Sequence, residues 1–73
     1  MKRFLIAEEY FVEGCLANFK WCDTLQEVKD EIAKLKMDNE ITDESEWYDD
    51  INNRIRTKTY YISHNAFIVM EFY

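Results

Sequence analysis

Few residues of this chain have the spacing that catalysis requires. His64 is the only histidine, and no nucleophile or orienting partner stands near it in a known motif, so a turn position explains it better than a general base. Cys22 precedes a predicted helix start, a position that can activate a thiol, but no CxxC spacing accompanies it. The chain also lacks a glycine-rich phosphate loop, an HExxH motif and paired CxxC motifs. The sequence therefore predicts a protein that is not an enzyme and uses no cofactor.

The net charge of −6 arises from a single segment, residues 38–50. This acidic segment holds seven carboxylates and no Lys or Arg, whereas the rest of the chain holds eight acids and nine bases. Such a field can steer and hold a basic partner surface, and Trp and Tyr are enriched in interface hot spots. The predicted partner-binding residues are Asp38, Glu40, Asp43, Glu44, Glu46, Trp47, Tyr48, Asp49 and Asp50. Two alternatives stay open: a solvated face that aids solubility, and a Trp47 that belongs to the protein's own core.

Crowded acids also raise the question of a calcium loop. A twelve-residue count from Asp38 places acids at positions 1, 3 and 12. Position 6, which must be glycine in an EF-hand, is Asp43, and position 12 is Asp49 in place of glutamate. We therefore expect no dedicated metal site.

A basic stripe, Arg54, Arg56, Lys58 and Tyr60, is predicted on one face of the third strand. Basic residues beside an aromatic ring can bind nucleic acid, but three cations in a chain of net charge −6 oppose that function. Cross-strand pairing with Glu8, Glu9 or Glu71, or protection of an edge strand, explains the stripe better. Direct nucleic-acid binding is therefore not expected.

The elements that position these residues begin with a β-hairpin. Residues 3–12 and 15–22 alternate apolar and polar residues, Glu13-Gly14 supplies the turn, and a bulge or bend is predicted near Glu8-Glu9. Cys15 and Cys22 would stand roughly 23 Å apart at opposite ends of the second strand, beyond disulfide reach. We expect two buried, reduced thiols.

A helix is predicted over residues 24–37. Thr24 and Glu27 form a capping box, and an apolar stripe follows at Leu25, Val28, Ile32 and Leu35. A second helix over about 44–54 is predicted from Trp47, Ile51 and Ile55 at i, i+4 and i+8. Its many Asp and Asn residues keep an irregular acidic loop as the alternative.

Residues 55–62 and 66–73 return to strand composition. The last strand is apolar on both faces apart from Glu71, which is typical of a central strand. The predicted fold is α+β, a four-stranded antiparallel sheet in the order β-β-α-(α)-β-β with one or two helices packed on one face.

Residues 1–73 are expected to form a single domain, because a core usually needs about 50 residues or more. Gly14 is the only glycine and proline is absent, so the chain is expected to be folded from nearly end to end. No apolar run approaches the ~20 residues of a membrane span, and Glu8-Glu9 end the signal-like start too early. We therefore expect a cytoplasmic protein that does not bind membranes.

In its size, acidity, aromatic content and lack of catalytic motifs, the chain resembles the small phage-encoded inhibitors of the anti-CRISPR and anti-restriction kind. The resemblance implies nucleic-acid mimicry in a host cytoplasm, with carboxylates set where a nucleic-acid-processing enzyme expects phosphates. Three functions are compared: an inhibitor or regulator whose residues 38–50 dock on a basic protein surface; an assembly module that uses strand-edge pairing or a homodimer; and a small nucleic-acid-binding domain.

Overall fold

The computed structural model describes residues 3–72 and confirms the α+β class. Its elements are β1 (Phe4–Tyr10), β2 (Cys15–Cys22), α1 (Leu25–Asp38), β3 (Asp43–Glu44), β4 (Tyr48–Asp50), β5 (Ile55–Tyr61) and β6 (Asn65–Phe72). The described strands form one antiparallel sheet of six strands, not four, and one helix packs against it.

The four long strands follow the order β2-β1-β6-β5, and both short strands pair with the outer side of β5. β6 lies between β1 and β5, as its apolar character on both faces predicts. Ala66, Phe67 and Val69 are all buried. The centre of the sheet is therefore built from residues at the two ends of the chain.

The predicted hairpin is confirmed, with β1 shorter than expected. β1 ends at Tyr10, whose carbonyl accepts a hydrogen bond from the Gly14 amide at 2.8 Å, and Gly14 takes a φ of +67° that suits glycine. The bulge lies on β2 and not on β1: Asn18, with φ of 54°, and Phe19 together oppose Ala7. The extra residue reverses the alternation within β2.

Helix α1 begins where the capping box predicts. The Thr24 hydroxyl accepts from the Glu27 amide at 3.2 Å, and the Glu27 carboxylate accepts from the Asp23 amide at 3.0 Å. Val28 and Ile32 are buried against the sheet, while Leu25 is 48% exposed. The core cluster under the helix consists of Phe4, Ile6, Cys22, Val28, Ile32 and Val69.

The predicted second helix over 44–54 is wrong. Residues 43–44 and 48–50 are strands, and residues 51–54 form a turn. The Asp50 carboxylate accepts from the amide and the side chain of Asn53 at 3.2 and 2.7 Å, a local bond that favours a turn over a helix. These short strands also cover the outer edge of β5, which would otherwise be unpaired.

Neither Cys15 nor Cys22 forms a disulfide, and the two residues lie at opposite ends of β2, as predicted. Cys22 is buried in the core cluster, but Cys15 is exposed, so the expectation of two buried thiols is wrong for Cys15. Cys15 pairs with Tyr10 at the hairpin end of the sheet, which α1 does not cover.

Candidate protein-interaction surfaces

The sheet has one covered face and one open face. The covered face carries Phe4, Ile6, Cys22 and Val69, which pack against α1. The opposite side chains of the same strands form the open face, since successive residues of a strand point to opposite sides. No element of residues 3–72 packs on this open face.

Apolar and aromatic residues dominate the open face. One row across five strands consists of Trp21, Leu5, Met70, Thr57 and Tyr48, each directly opposite the next. The Trp21 ring lies 5.7 Å from that of Phe72, and Leu5, directly opposite Trp21, is 9% exposed. Large side chains stay in solvent here: Phe19 is 56% exposed, Trp21 48% and Tyr48 68%.

The border of the open face is acidic. A second row runs through Leu16, Glu9, Ala66, Tyr61 and Asp43, so a carboxylate stands on each side of Tyr61 and Ala66. At the other end, Asp50 lies opposite Ile55 in the row of Phe72. No Lys or Arg occurs at the paired positions of these rows. Arg3 is the cation next to the row of Phe72: its carbonyl accepts from the Phe72 amide at 3.0 Å, and its guanidinium is paired with Glu71 at 3.5 Å.

The residues of the predicted acidic site lie on both faces of the sheet, because side chains of β3 and β4 alternate between the faces. Asp43, Tyr48 and Asp50 belong to the open face, whereas Glu44 and Asp49 point to the covered face. Glu44 lies 3.9 Å from Lys36 Nζ and 4.0 Å from Lys58 Nζ. Asp49 Oδ1 lies 2.7 Å from Arg56 Nε. Glu44 and Asp49 are therefore paired with cations of β5 and α1, and each side chain stays about half exposed.

Trp47 lies on the covered face, in agreement with the alternative that it belongs to the protein's own core. It is half-buried against the core cluster, and the Arg56 guanidinium stacks 4.8 Å from the centre of its ring. Arg56 also lies 3.5 Å from Glu71, the cross-strand partner that the sequence predicted. Trp47 thus anchors the linker between β3 and β4 to the core.

The remaining predicted residues lie around the sheet edge. Asp38 ends α1, Glu40 lies in the following loop and Glu46 in the linker, and all three are exposed. They do not converge on one point. The Asn53 hydrogen bonds lower the pKa of Asp50, which therefore stays ionised beside the open face.

Only three of the four residues of the predicted basic stripe lie in β5. Arg56, Lys58 and Tyr60 share the covered face of β5, but Arg54 has a φ of 56° in the turn before it and is not part of the strand. Lys58 donates to the Ser45 carbonyl at 2.9 Å, which fastens the acidic segment to β5. Arg56 and Lys58 therefore interact with residues of the protein's own acidic segment.

A cleft of about 360 Å³ opens between α1 and β5 on the covered face. Its floor includes Ile32 and Val69, and its wall includes Trp47 and Tyr60. Lys36 Nζ and Lys58 Nζ lie 5.6 and 5.5 Å from the centre of the Tyr60 ring. Burial and, to a lesser degree, Glu44 raise the pKa of Tyr60, so its hydroxyl is neutral at pH 7.

Among the aromatic residues of the open face, Tyr48 was one of the predicted site residues, whereas Phe19, Trp21, Tyr61 and Phe72 were not. The signal was present in the sequence, because Phe19 and Trp21 are large apolar residues two positions apart in a strand. Which side of that strand the helix covers depends on the bulge at Asn18, which no local pattern marks.

Two kinds of site are missing among residues 3–72. No group of three or more His, Cys, Asp or Glu side chains in this range is arranged to hold a metal ion. No helix in the same range is long and apolar enough to cross a membrane.

The sequence matches no protein-family model, and comparisons with curated proteins and with solved structures find no similar chain.

Proposed function

We propose that this chain is a protein-binding module, an inhibitor or regulator, that uses the open face of its sheet as the contact surface. The observation that carries the proposal is the uncovered row of Trp21, Leu5, Met70, Thr57 and Tyr48, bordered by carboxylates. Four long strands of seven or eight residues give this side roughly 400 Å² of sheet area. The largest apolar patch of a soluble protein, commonly about 300–600 Å², is often its functional surface.

The charges of the border indicate the chemistry of the partner. Glu9, Asp43 and Asp50 surround the apolar centre, and no cation stands in the paired rows to balance them. A partner surface with an apolar centre and a rim of Lys or Arg would complement this pattern. Of the acidic segment, only Asp43, Tyr48 and Asp50 lie on the open face and would contact the partner there.

A second copy of this chain fits the open face less well. Two copies placed face to face would bring six border carboxylates together, and like charges at an interface oppose association. Each chain already carries a net charge of −6. We therefore propose a complex with a different protein, and a homodimer that forms through the open face would contradict this proposal.

Strand-edge pairing is the assembly alternative, and β2 offers the long edge for it. The bulge at Asn18 twists this edge, and the Asn18 side chain donates to Glu8 and Tyr10 at 2.9 and 3.1 Å. Lys20 nearby is held to Glu31 at 2.6 Å. Bulges and charged side chains are common devices against edge pairing. We therefore favour the open face over the edge.

The resemblance to anti-CRISPR and anti-restriction proteins makes a nucleic-acid-processing enzyme our proposed partner class. Such enzymes carry the basic surfaces that this border requires, and the protein would block them by binding alone. Residues 38–50 would then add long-range attraction to contacts made by the open face.

The experiment compares two variants that remove the same kind of side chain. Phe19→Thr/Trp21→Thr reduces the open face with residues that suit a strand, whereas Val12→Thr/Met37→Thr removes exposed apolar side chains elsewhere. Immobilised wild type should retain a defined set of host proteins, as identified by quantitative mass spectrometry. The open-face variant should lose that set, while the control variant keeps it.

A second pair of variants tests whether the acids of the open face, and not those of the covered face, contact the partner. Glu9→Gln/Asp43→Asn should weaken binding to the captured protein at least tenfold at low salt and should flatten the salt dependence. Glu44→Gln/Asp49→Asn should leave the affinity nearly unchanged, because these carboxylates are paired with β5 and Lys36. The reverse order of effects would return the contact surface to the acidic segment and refute the open face.

A further inference from the structure

The cleft between α1 and β5 has the features of a ligand site that is separate from the open face. Its volume of about 360 Å³ falls within the range of roughly 300–1,000 Å³ that ligand pockets occupy. It exists because α1 packs over β1 and β2 and leaves the β5 side of the covered face without a helix. Trp47 covers only part of that gap.

The interior of the cleft is apolar. Val28, Ile32 and Val69 are almost fully buried at its base, and the rings of Trp47 and Tyr60 line its sides. Ala33 stands at the helix rim, where a small side chain keeps the entrance wide. An occupant must therefore have an apolar body that can replace water along these groups.

The rim of the cleft is cationic, although the whole chain is acidic. Lys29, Lys36 and Lys58 all line it. Lys29 has no ion-pair partner among the described residues. The other two share a single carboxylate, Glu44, at the long distances of 3.9 and 4.0 Å. An anionic group of a ligand would meet three ammonium groups and would compete with one carboxylate, Glu44, and with the Ser45 carbonyl that accepts from Lys58 at 2.9 Å.

We propose that this cleft binds an amphiphilic monocarboxylate, an apolar chain or ring that carries one carboxylate. Glu44, which already lies near Lys36 and Lys58, would repel the second negative charge of a phosphate monoester or a dicarboxylate. A single carboxylate on an apolar body satisfies both the lysine rim and the apolar base.

Trp47 provides the readout. In a Trp21→Phe variant, Trp47 is the only tryptophan, so its fluorescence reports the cleft alone. Decanoate below its micelle concentration should change the emission saturably. Acetate, which has the charge without the apolar body, should have no effect, and decanol, which lacks the charge, should bind at least tenfold more weakly.

Four further variants in this background test the geometry. Ala33→Phe should fill the cleft and abolish decanoate binding without unfolding the protein, because residue 33 is exposed on the helix. Lys29→Gln/Lys36→Gln should weaken binding at least tenfold, whereas Lys34→Gln, which removes a helix cation paired with Glu31, should not. Glu44→Gln should tighten binding, because it removes the competing carboxylate.

Several outcomes would overturn the proposal. They are no saturable change up to millimolar decanoate, equal affinity for decanol, or binding that survives Ala33→Phe. Backbone resonances provide a second measurement. Decanoate should shift those of Ile32 and Val69, and shifts confined to Met70 and Phe72 would mean adsorption to the open face instead of a site in the cleft.

Discussion

Replacement of Trp47 by alanine should lower the free energy of unfolding by about 2–3 kcal/mol. A fully buried Trp→Ala change costs about 3–5 kcal/mol, and Trp47 is half-buried against the core cluster, so about 2 kcal/mol is expected from packing. Loss of the Arg56 stacking at 4.8 Å adds about 0.5–1 kcal/mol. In a domain of this size the melting temperature should fall by roughly 10–20 °C.

The assay is thermal and urea denaturation followed by circular dichroism, with Tyr48→Ala as the matched control. Tyr48 is the next residue and is equally aromatic, but it is 68% exposed on the open face, so its removal should cost no more than about 0.5 kcal/mol. A double-mutant cycle of Trp47→Ala with Arg56→Met should give a coupling of about 0.5–1 kcal/mol. Equal melting temperatures for the Trp47 and Tyr48 variants would refute the assignment of Trp47 to the core.

Three other predictions concern the covered face and the hairpin. The hydrogen bond from Lys20 lowers the pKa of Glu31 from its ordinary value of 4.5. The stability that this pair contributes is present above about pH 4.5 and should be lost as the pH falls through the lowered pKa. The urea midpoint of Glu31→Gln should therefore change less between neutral and acidic pH than that of the wild type. Cys15 is exposed and Cys22 is buried, so a thiol reagent should modify one thiol rapidly and the second only on unfolding; two fast thiols would contradict the placement of Cys22. Val28→Asp buries an unpaired carboxylate and should unfold the domain, which the loss of the helical dichroism would report; a native melting temperature would show that α1 packs on another face.

Much of the fold follows from local chemistry that the sequence displays. The capping box at Thr24, the buried positions Val28 and Ile32, and the turn glycine Gly14 each determine one element, and each is confirmed. The two-sided apolar composition of β6 also predicts its central place. These signals are readable because each one extends over a full turn of helix or over several alternations of a strand.

The strands within residues 43–50 cannot be predicted from the sequence for a physical reason. β3 and β4 have two and three residues, too few to display alternation, and they are strands because β5 offers them partners. Trp47, Ile51 and Ile55 mimic a helical stripe by coincidence. Trp47 packs into the core, Ile51 is 82% exposed in a turn and Ile55 begins β5.

The candidate site depends on register, which no local pattern determines. The acidic segment was predicted as one surface, but its strands alternate, so Asp43 and Asp50 face one side and Glu44 and Asp49 the other. The open face appears only when β2, β1, β6 and β5 are placed side by side. The bulge at Asn18 then decides that Phe19 and Trp21 share a face with Leu5 and Met70.

The most direct test of the proposed contact surface is a methyl NMR titration with a captured partner protein. Leu5, Ile68 and Met70 carry methyl groups on the open face, while Val28, Ile32 and Val69 carry them on the covered face. The partner should shift or broaden the first set and leave the second nearly unchanged. Perturbations confined to the second set, or to the backbone amides of residues 38–50, would contradict the account.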